Sequence, residues 1–172
     1  MSAHFAVLQG ADLLEAQKDR IFVAPGLAVI SRLLYEGEVV GITSQIAKKM
    51  GYEIELEAAV TSMKAMLKRG IRVLPGGDYG FAWAPHGENA KDLEYFVKYL
   101  GMTPMEAIVS CTRWGGQMMM KGKELGEIRD GWLADLLLVD GDPVSNIAIL
   151  QDRIHSPQSI RLRLPYRTIV PI

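Results

Sequence analysis

The sequence contains a single cysteine, Cys111, and three histidines, His4, His86 and His155. One cysteine excludes an internal disulfide, and such sparing use is typical of a reducing compartment. We expect Cys111 to be a buried structural residue of a helix. Three histidines leave few candidates for imidazole ligands of a metal. The sequence therefore excludes a disulfide-stapled domain and a histidine-rich metal site.

Long apolar runs and a charge excess of one sign are also missing. The longest apolar runs are far shorter than the roughly 20 residues of a membrane span. The N-terminus lacks the basic segment and apolar core of a signal peptide. The formal net charge is −1, so nothing favours nucleic acid or an anionic membrane. We therefore expect one cytoplasmic domain that binds neither nucleic acid nor membranes.

The first two thirds of the chain alternate between helical patterns and short apolar runs. Ile21–Pro25 and Ile71–Leu74 are continuous apolar runs, typical of strands covered on both faces. Amphipathic helical spacing is found over Ala11–Lys18, Thr43–Lys68 and Asn89–Leu100. This alternation predicts an α/β protein with a parallel sheet or barrel.

The last third changes character. Thr103 and Glu106 predict a capping box that opens a helix running to about Met119. Two further strands are predicted over Ala134–Asp140 and Ile160–Leu164, and the second alternates apolar and basic residues as a half-exposed strand does. These strands predict a separate β-rich layer.

One acid stands where α/β proteins place their chemistry. Asp78 follows the strand Ile71–Leu74, and the carboxyl ends of parallel strands carry the active sites of such folds. Tyr79 and Trp83 lie in the loop that follows, and His86 comes eight residues after the acid. The alternative is that Asp78 and His86 only serve turns and that Trp83 is packing. The catalytic hypothesis and the turn hypothesis both remain open at this point.

Three segments carry a resemblance to a known family: GGDYGFAWAPHGENAKDLEYFV, GMTPMEAIVSCTR and LGEIRDGWLADLLLVDGDPVSNI. In this order, over roughly Ile71–Leu150, they resemble the C-terminal part of the amidohydrolase superfamily. The similarity is closest to its metal-dependent branch, with imidazolonepropionase-like enzymes and Xaa-Pro dipeptidase relatives. The resemblance implies the C-terminal part of a (β/α)8 TIM-like barrel over residues 1–124 and a segment of a small β-sandwich over residues 125–172.

The resemblance also implies a chemistry. Such enzymes hydrolyse an amide, peptide or cyclic C–N bond with metal-activated water, using one or two divalent metals, usually zinc. Asp78 falls on the acid at the end of the eighth barrel strand, which ligates a metal and accepts the proton of the attacking water. His86 and Tyr79 fall on the substrate side, and His4 is a weak match to a sixth-strand histidine ligand. The implied substrate is a small-molecule amide or a dipeptide-like compound.

Several parts of the family pattern have no counterpart in this chain. The His-x-His of the first strand, the bridging lysine and the fifth-strand histidine are absent. A complete barrel needs about 250 residues, so the chain resembles its last third: a fragment, a truncated product or a degenerate paralogue. Open sheet edges predict a homo-oligomer or a missing N-terminal part. The alternative function is a non-catalytic remnant that acts only as an oligomeric or partner-binding structural module.

Overall fold

The computed structural model describes residues 11–137, 139–151 and 159–162, and these are mostly helical. The helices, in chain order, are α1 (Ala11–Ala16), α2 (Leu27–Glu36), α3 (Ser44–Lys49), α4 (Tyr52–Lys68), α5 (Lys91–Tyr95), α6 (Pro104–Cys111) and α7 (Arg113–Met118). The strands are β1 (Phe22–Val23), β2 (Arg72–Val73), β3 (Ala134–Leu137) and β4 (Ser159–Leu162). Single-turn elements complete the set: 3-10 helices over Gly37–Val40 and Ile147–Gln151, and a π-helix over Phe96–Leu100 that continues α5.

The strands β1 and β2 form the parallel pair that the sequence predicts. Phe22 lies opposite Arg72 and Val23 opposite Val73. Val73 is fully buried, whereas the Arg72 guanidinium lies 4.0 Å from the centroid of the Phe22 ring and donates to Gln117 Oε1 at 2.8 Å. Within the described ranges, each of these strands pairs only with the other. Since the pair is parallel, both carboxyl ends open at the same edge.

A hydrophobic core joins this pair to the helices α2, α4, α5 and α6. Ala59 and Ser62 are fully buried on α4, and the Ser62 hydroxyl donates to the Ala58 carbonyl at 2.8 Å. Both side chains are small, and the Ser62 hydroxyl is satisfied within its own helix. The most deeply buried large side chains are Leu27, Leu34, Met66, Ile71, Val73 and Phe96.

The segment from α5 to α7 shows how local sequence sets helix ends. Gly101, with a φ of 73°, closes the π-helical turn in the left-handed conformation that favours glycine. The predicted capping box opens α6: the Thr103 hydroxyl accepts from the Glu106 N–H at 3.2 Å, and the Glu106 carboxylate accepts from the Thr103 N–H at 2.7 Å. The prediction of one continuous helix was wrong at Thr112, where α6 ends. The Thr112 hydroxyl donates to the Ile108 carbonyl at 2.8 Å, a back-bonding contact that bends helices.

The strands β3 and β4 pair antiparallel, with Ala134 opposite Leu162 and Leu137 opposite Ser159. This pair matches the two strands predicted for the last third of the chain. Whether it belongs to a β-sandwich, and whether a domain boundary falls at residues 124 and 125, stay predictions.

The surface exposes several apolar side chains. Ile46, Met50 and Ile54 are 43%, 58% and 72% exposed. The expectation of a buried Cys111 was wrong, because this last residue of α6 faces solvent. Among the described helices, none combines the length and the apolar character needed to cross a bilayer. These exposed apolar side chains lie on α3, on α4 and between them, and the expected oligomer stays a prediction.

Candidate functional site

The turn that follows β2 is fastened to the first turn of α2. The Gly26 N–H donates to the Gly76 carbonyl at 3.0 Å, and the Val29 N–H donates to the Gly77 carbonyl at 3.1 Å. Amides at the start of a helix have no partner inside the helix, so the carbonyls of this turn satisfy them. The carboxyl end of β2 is thus held against α2 by main-chain bonds.

Asp78 leaves this turn in a conformation that side chains seldom adopt. Its φ is 56°, in the left-handed region, and its side chain is exposed. Left-handed geometry costs a non-glycine residue roughly 1–2 kcal/mol, although aspartate tolerates it better than most. Strain of this kind recurs at functional sites, where the surrounding structure maintains it. The structure therefore has an exposed carboxylate in a strained turn at the predicted edge.

Asp92 of α5 lies beneath this turn and was missed by the sequence analysis. It is 2% exposed, and its carboxylate accepts from the N–H groups of Gly76 and Gly77 and from the Tyr79 hydroxyl, the last at 3.3 Å. Burial raises the pKa of Asp92 to about 6, although the three hydrogen bonds oppose this shift. A signal was present in the sequence, since Asp92 precedes the inward-facing Phe96 by one helical turn.

The loop after Asp78 is built around aromatic residues. The Phe81 and Trp83 rings stack with centroids 4.8 Å apart, and the Trp83 indole N–H donates to the Val29 carbonyl at 3.2 Å. The Gly80 N–H donates to the Ala84 carbonyl at 2.8 Å, which closes the loop into a tight hairpin. Trp83 therefore anchors the loop to α2, while Phe81 is 42% exposed.

Tyr79 and His86 lie in the same loop as Asp78. Tyr79 is half-buried, and burial, followed by the nearby Asp92 carboxylate, raises the pKa of its hydroxyl well above the usual value. His86 is exposed, and a Cβ placed on Gly80 would lie 3.1 Å from its Nε2 atom. The structure therefore brings three of the predicted site residues into one loop. The fourth, His4, falls outside the described residues.

An ion pair ties the end of this loop to α2. Arg32 donates to Glu88 and to Glu36, the second pair at 3.0 Å. The Arg32 side chain is only 12% exposed, so its positive charge is directed at these two carboxylates. The Arg32–Glu88 pair holds in place the segment just before α5, the helix that carries Asp92.

A metal site of the implied kind needs at least three protein ligands. Across the residues that the structure describes, no group of three or more His, Cys, Asp or Glu side chains is placed to hold an ion. Asp78 offers a carboxylate, which is a suitable donor, but the described residues alone do not complete a site. A chemical step through a metal cannot be derived from them.

Comparison with known proteins gives relatives for most of the chain. Over 140 residues the chain is 26% identical to ochratoxinase from Aspergillus niger. The aligned region covers 81% of this chain and 28% of the relative. No family model matches the sequence. The chain thus spans less than a third of the length of its curated relative.

Solved structures extend the comparison to the fold. An amidohydrolase structure matches with a TM-score of 0.72 and 24% identity, covering 94% of this chain and 38% of that one. A Xaa-Pro dipeptidase with bound methionine in its active site matches with a TM-score of 0.69 and 24% identity, covering 87% and 36%. The crystal structure of A. niger ochratoxinase matches with a TM-score of 0.68 and 21% identity, covering 89% and 33%.

These matches confirm the resemblance to amidohydrolases. The solved neighbours are amidohydrolase TIM-barrel proteins, and this chain shares the fold of about a third of each. In the described residues of this chain, the shared part is mostly helical and includes the two-stranded parallel pair β1–β2.

Proposed function

We propose that this chain, as a relative of amidohydrolases, supplies Asp78 to the active site of a hydrolase that cleaves amide or peptide bonds. One observation carries the proposal: an exposed carboxylate is held in a left-handed turn at the carboxyl end of β2. This edge is where the barrel fold concentrates its catalytic groups. The relatives support the hydrolytic activity, and the turn at the end of β2 supports the role of Asp78.

Asp78 is suited to handling the proton of an attacking water. An exposed carboxylate can accept that proton and deliver it to the leaving amine, provided that it lies within hydrogen-bond reach of both. The fixed turn supports this role, because general bases depend on placement as much as on pKa. The bond concerned would be an amide, a peptide or a cyclic C–N bond.

The proposed enzyme uses one or two divalent metals, zinc being the usual choice in the family. A bound metal would lower the pKa of water toward neutrality. Asp78 would be the ligand that the described residues contribute, with His4 as a further candidate outside them. A second copy of the chain, in the proposed homo-oligomer, would supply the remaining ligands.

Tyr79 and His86 are proposed to face the substrate, a small-molecule amide or a dipeptide-like compound. Both lie in the loop that begins at Asp78. The Tyr79 hydroxyl already donates to Asp92. Tyr79 would therefore contact the substrate with its ring and not with its hydroxyl. His86 follows the hairpin in sequence and is exposed, and an imidazole can donate to a substrate carbonyl or carboxylate.

The test is hydrolysis of a panel of N-acyl amino acids and Xaa-Pro dipeptides, with zinc added. We expect turnover by the wild-type chain and at least a 100-fold lower rate for Asp78→Asn, which keeps the size of the side chain. Asparagine also tolerates the left-handed conformation, so the fold is retained. Equal rates for the two proteins, or turnover of no compound, would count against the proposal.

A second candidate function is a non-catalytic structural module that oligomerises or binds a partner. The observation that favours it is the absence of a three-ligand group among the described side chains. The β1 and β2 edges, each paired only with the other in the described ranges, support a partner strand or a second copy. Metal analysis and sedimentation separate the two: a metal-free oligomer without turnover favours the module, and stoichiometric zinc that Asp78→Asn loses favours the enzyme.

A further inference from the structure

The turn Pro75–Gly77 is held by two helices. Its carbonyls accept the N–H groups of Gly26 and Val29 at the start of α2. The N–H groups of Gly76 and Gly77 donate to Asp92 of α5. Helices far apart in sequence thus determine the path of the chain just before Asp78.

Space on the Asp92 side is closed to any added atom. A Cβ on Gly77 would lie 2.5 Å from the Ala28 Cβ and 2.6 Å from Asp92 Oδ1. Real Cβ contacts do not reach such distances, so glycine is required for the carboxylate to approach the main chain. The same approach allows one carboxylate to satisfy two successive amides.

Burial of a carboxylate is unfavourable unless its oxygens are hydrogen-bonded. No buried side-chain nitrogen or oxygen lacks a hydrogen-bond partner in the described part of the chain. Asp92 uses its oxygens on Gly76, Gly77 and the Tyr79 hydroxyl. Those three residues flank Asp78 on both sides in sequence.

We propose that Asp92 is a positioning residue. Its buried carboxylate accepts hydrogen bonds from the amides of Gly76 and Gly77, before Asp78, and from the hydroxyl of Tyr79, after it. These bonds maintain the turn that presents the Asp78 carboxylate. The inference rests on the proposed function only in giving Asp78 a catalytic task. Asp92 itself touches neither substrate nor the reacting atoms, and acts through the turn.

The experiment is residue-resolved amide hydrogen exchange by NMR on the wild-type chain and on Asp92→Ala, Asp92→Asn and Glu94→Gln. Glu94 is the matched control, because it lies on the same helix and accepts from Gln151 at 2.8 Å, away from the turn. We expect exchange at Gly76 and Gly77 to rise about tenfold or more in the alanine variant, which is the loss of one good hydrogen bond. Asparagine keeps one acceptor oxygen, so its effect should be smaller, and the control should leave both amides unchanged.

Two further readouts connect the turn to Asp78. In a crystal structure of Asp92→Ala, Asp78 is expected to leave the left-handed region. In the hydrolysis assay, kcat should fall more than KM changes, with partial rescue in Asp92→Asn. If Asp92→Ala does not fold, the asparagine variant and the control decide the result.

Exchange that stays unchanged at Gly76 and Gly77, or that rises equally at all amides of the core, would overturn the positioning role. A selective rise at these two amides supports it. Exchange is measured without substrate, so a chain that hydrolyses nothing would refute the proposed function while the exchange result still decides the role of Asp92.

Discussion

Asp92 makes a quantitative prediction about stability and pH. Its pKa is raised from an ordinary value of 3.8 to about 6 in the folded chain, with burial as the main cause. The folded state therefore holds this proton more tightly than the unfolded state. Stability from the protonated acid is fully present below about pH 4 and is lost as the pH rises through about 6. At about 1.4 kcal/mol per pH unit, the total loss is roughly 3 kcal/mol.

Urea unfolding of the wild-type chain and of Asp92→Asn at pH 4 and pH 7.5 measures this loss. Because asparagine does not titrate, we expect the free energy of unfolding of the wild type, relative to this variant, to fall by roughly 2.5 kcal/mol between the two pH values. This is less than the total, since pH 4 lies close to the ordinary pKa of 3.8. Glu94→Gln is a control in which the dependence of stability on pH has the opposite sign. The Gln151 amide lowers the pKa of Glu94, so the stability that Glu94 contributes is lost as the pH falls. If the difference in free energy of unfolding between the wild type and Asp92→Asn does not vary with pH, burial does not raise the pKa of Asp92 as argued.

Further predictions concern the turn and the helix ends, each measured by urea unfolding. Gly77→Ala should destabilise by about 2–4 kcal/mol, because its Cβ would lie 2.5 Å from that of Ala28. Gly115→Ala is its control: nothing lies within 4 Å of a Cβ there, so it should stabilise the helix by about 0.5–1 kcal/mol, and a loss would contradict the packing. Asp78→Gly should stabilise by roughly 0.5–1 kcal/mol by relieving the left-handed strain, and destabilisation would show that no strain exists. Thr103→Ala should cost about 1 kcal/mol through the lost cap, and no change would count against the capping box.

Local patterns in the sequence were sufficient to predict several of the elements. The apolar run at Ile71–Leu74 predicted β2, and the spacing from Thr43 to Lys68 predicted the helical segment that α3 and α4 form. The capping box at Thr103 predicted the start of α6. Such features depend on neighbours within a few residues, which is why pattern and chemistry alone identify them.

Features that depend on distant contacts could not be predicted in the same way. The left-handed φ of Asp78 depends on the bonds that α2 and α5 make to the preceding turn. Asp92 was overlooked because an acid in an amphipathic helix is normally assigned to the solvent side. The break at Thr112 depends on a side-chain bond that competes with the helix. Each of these is a tertiary or side-chain effect that overrides the local preference.

The central claim is that the Asp78 carboxylate serves amide or peptide hydrolysis and is not a turn residue alone. It is tested most directly by measuring folded fraction and hydrolysis rate on the same preparations of the wild-type chain and Asp78→Asn. The account predicts equal folded fractions and a hydrolysis rate at least 100-fold lower for the variant. A variant that is folded and hydrolyses the substrates as fast as the wild type would contradict it.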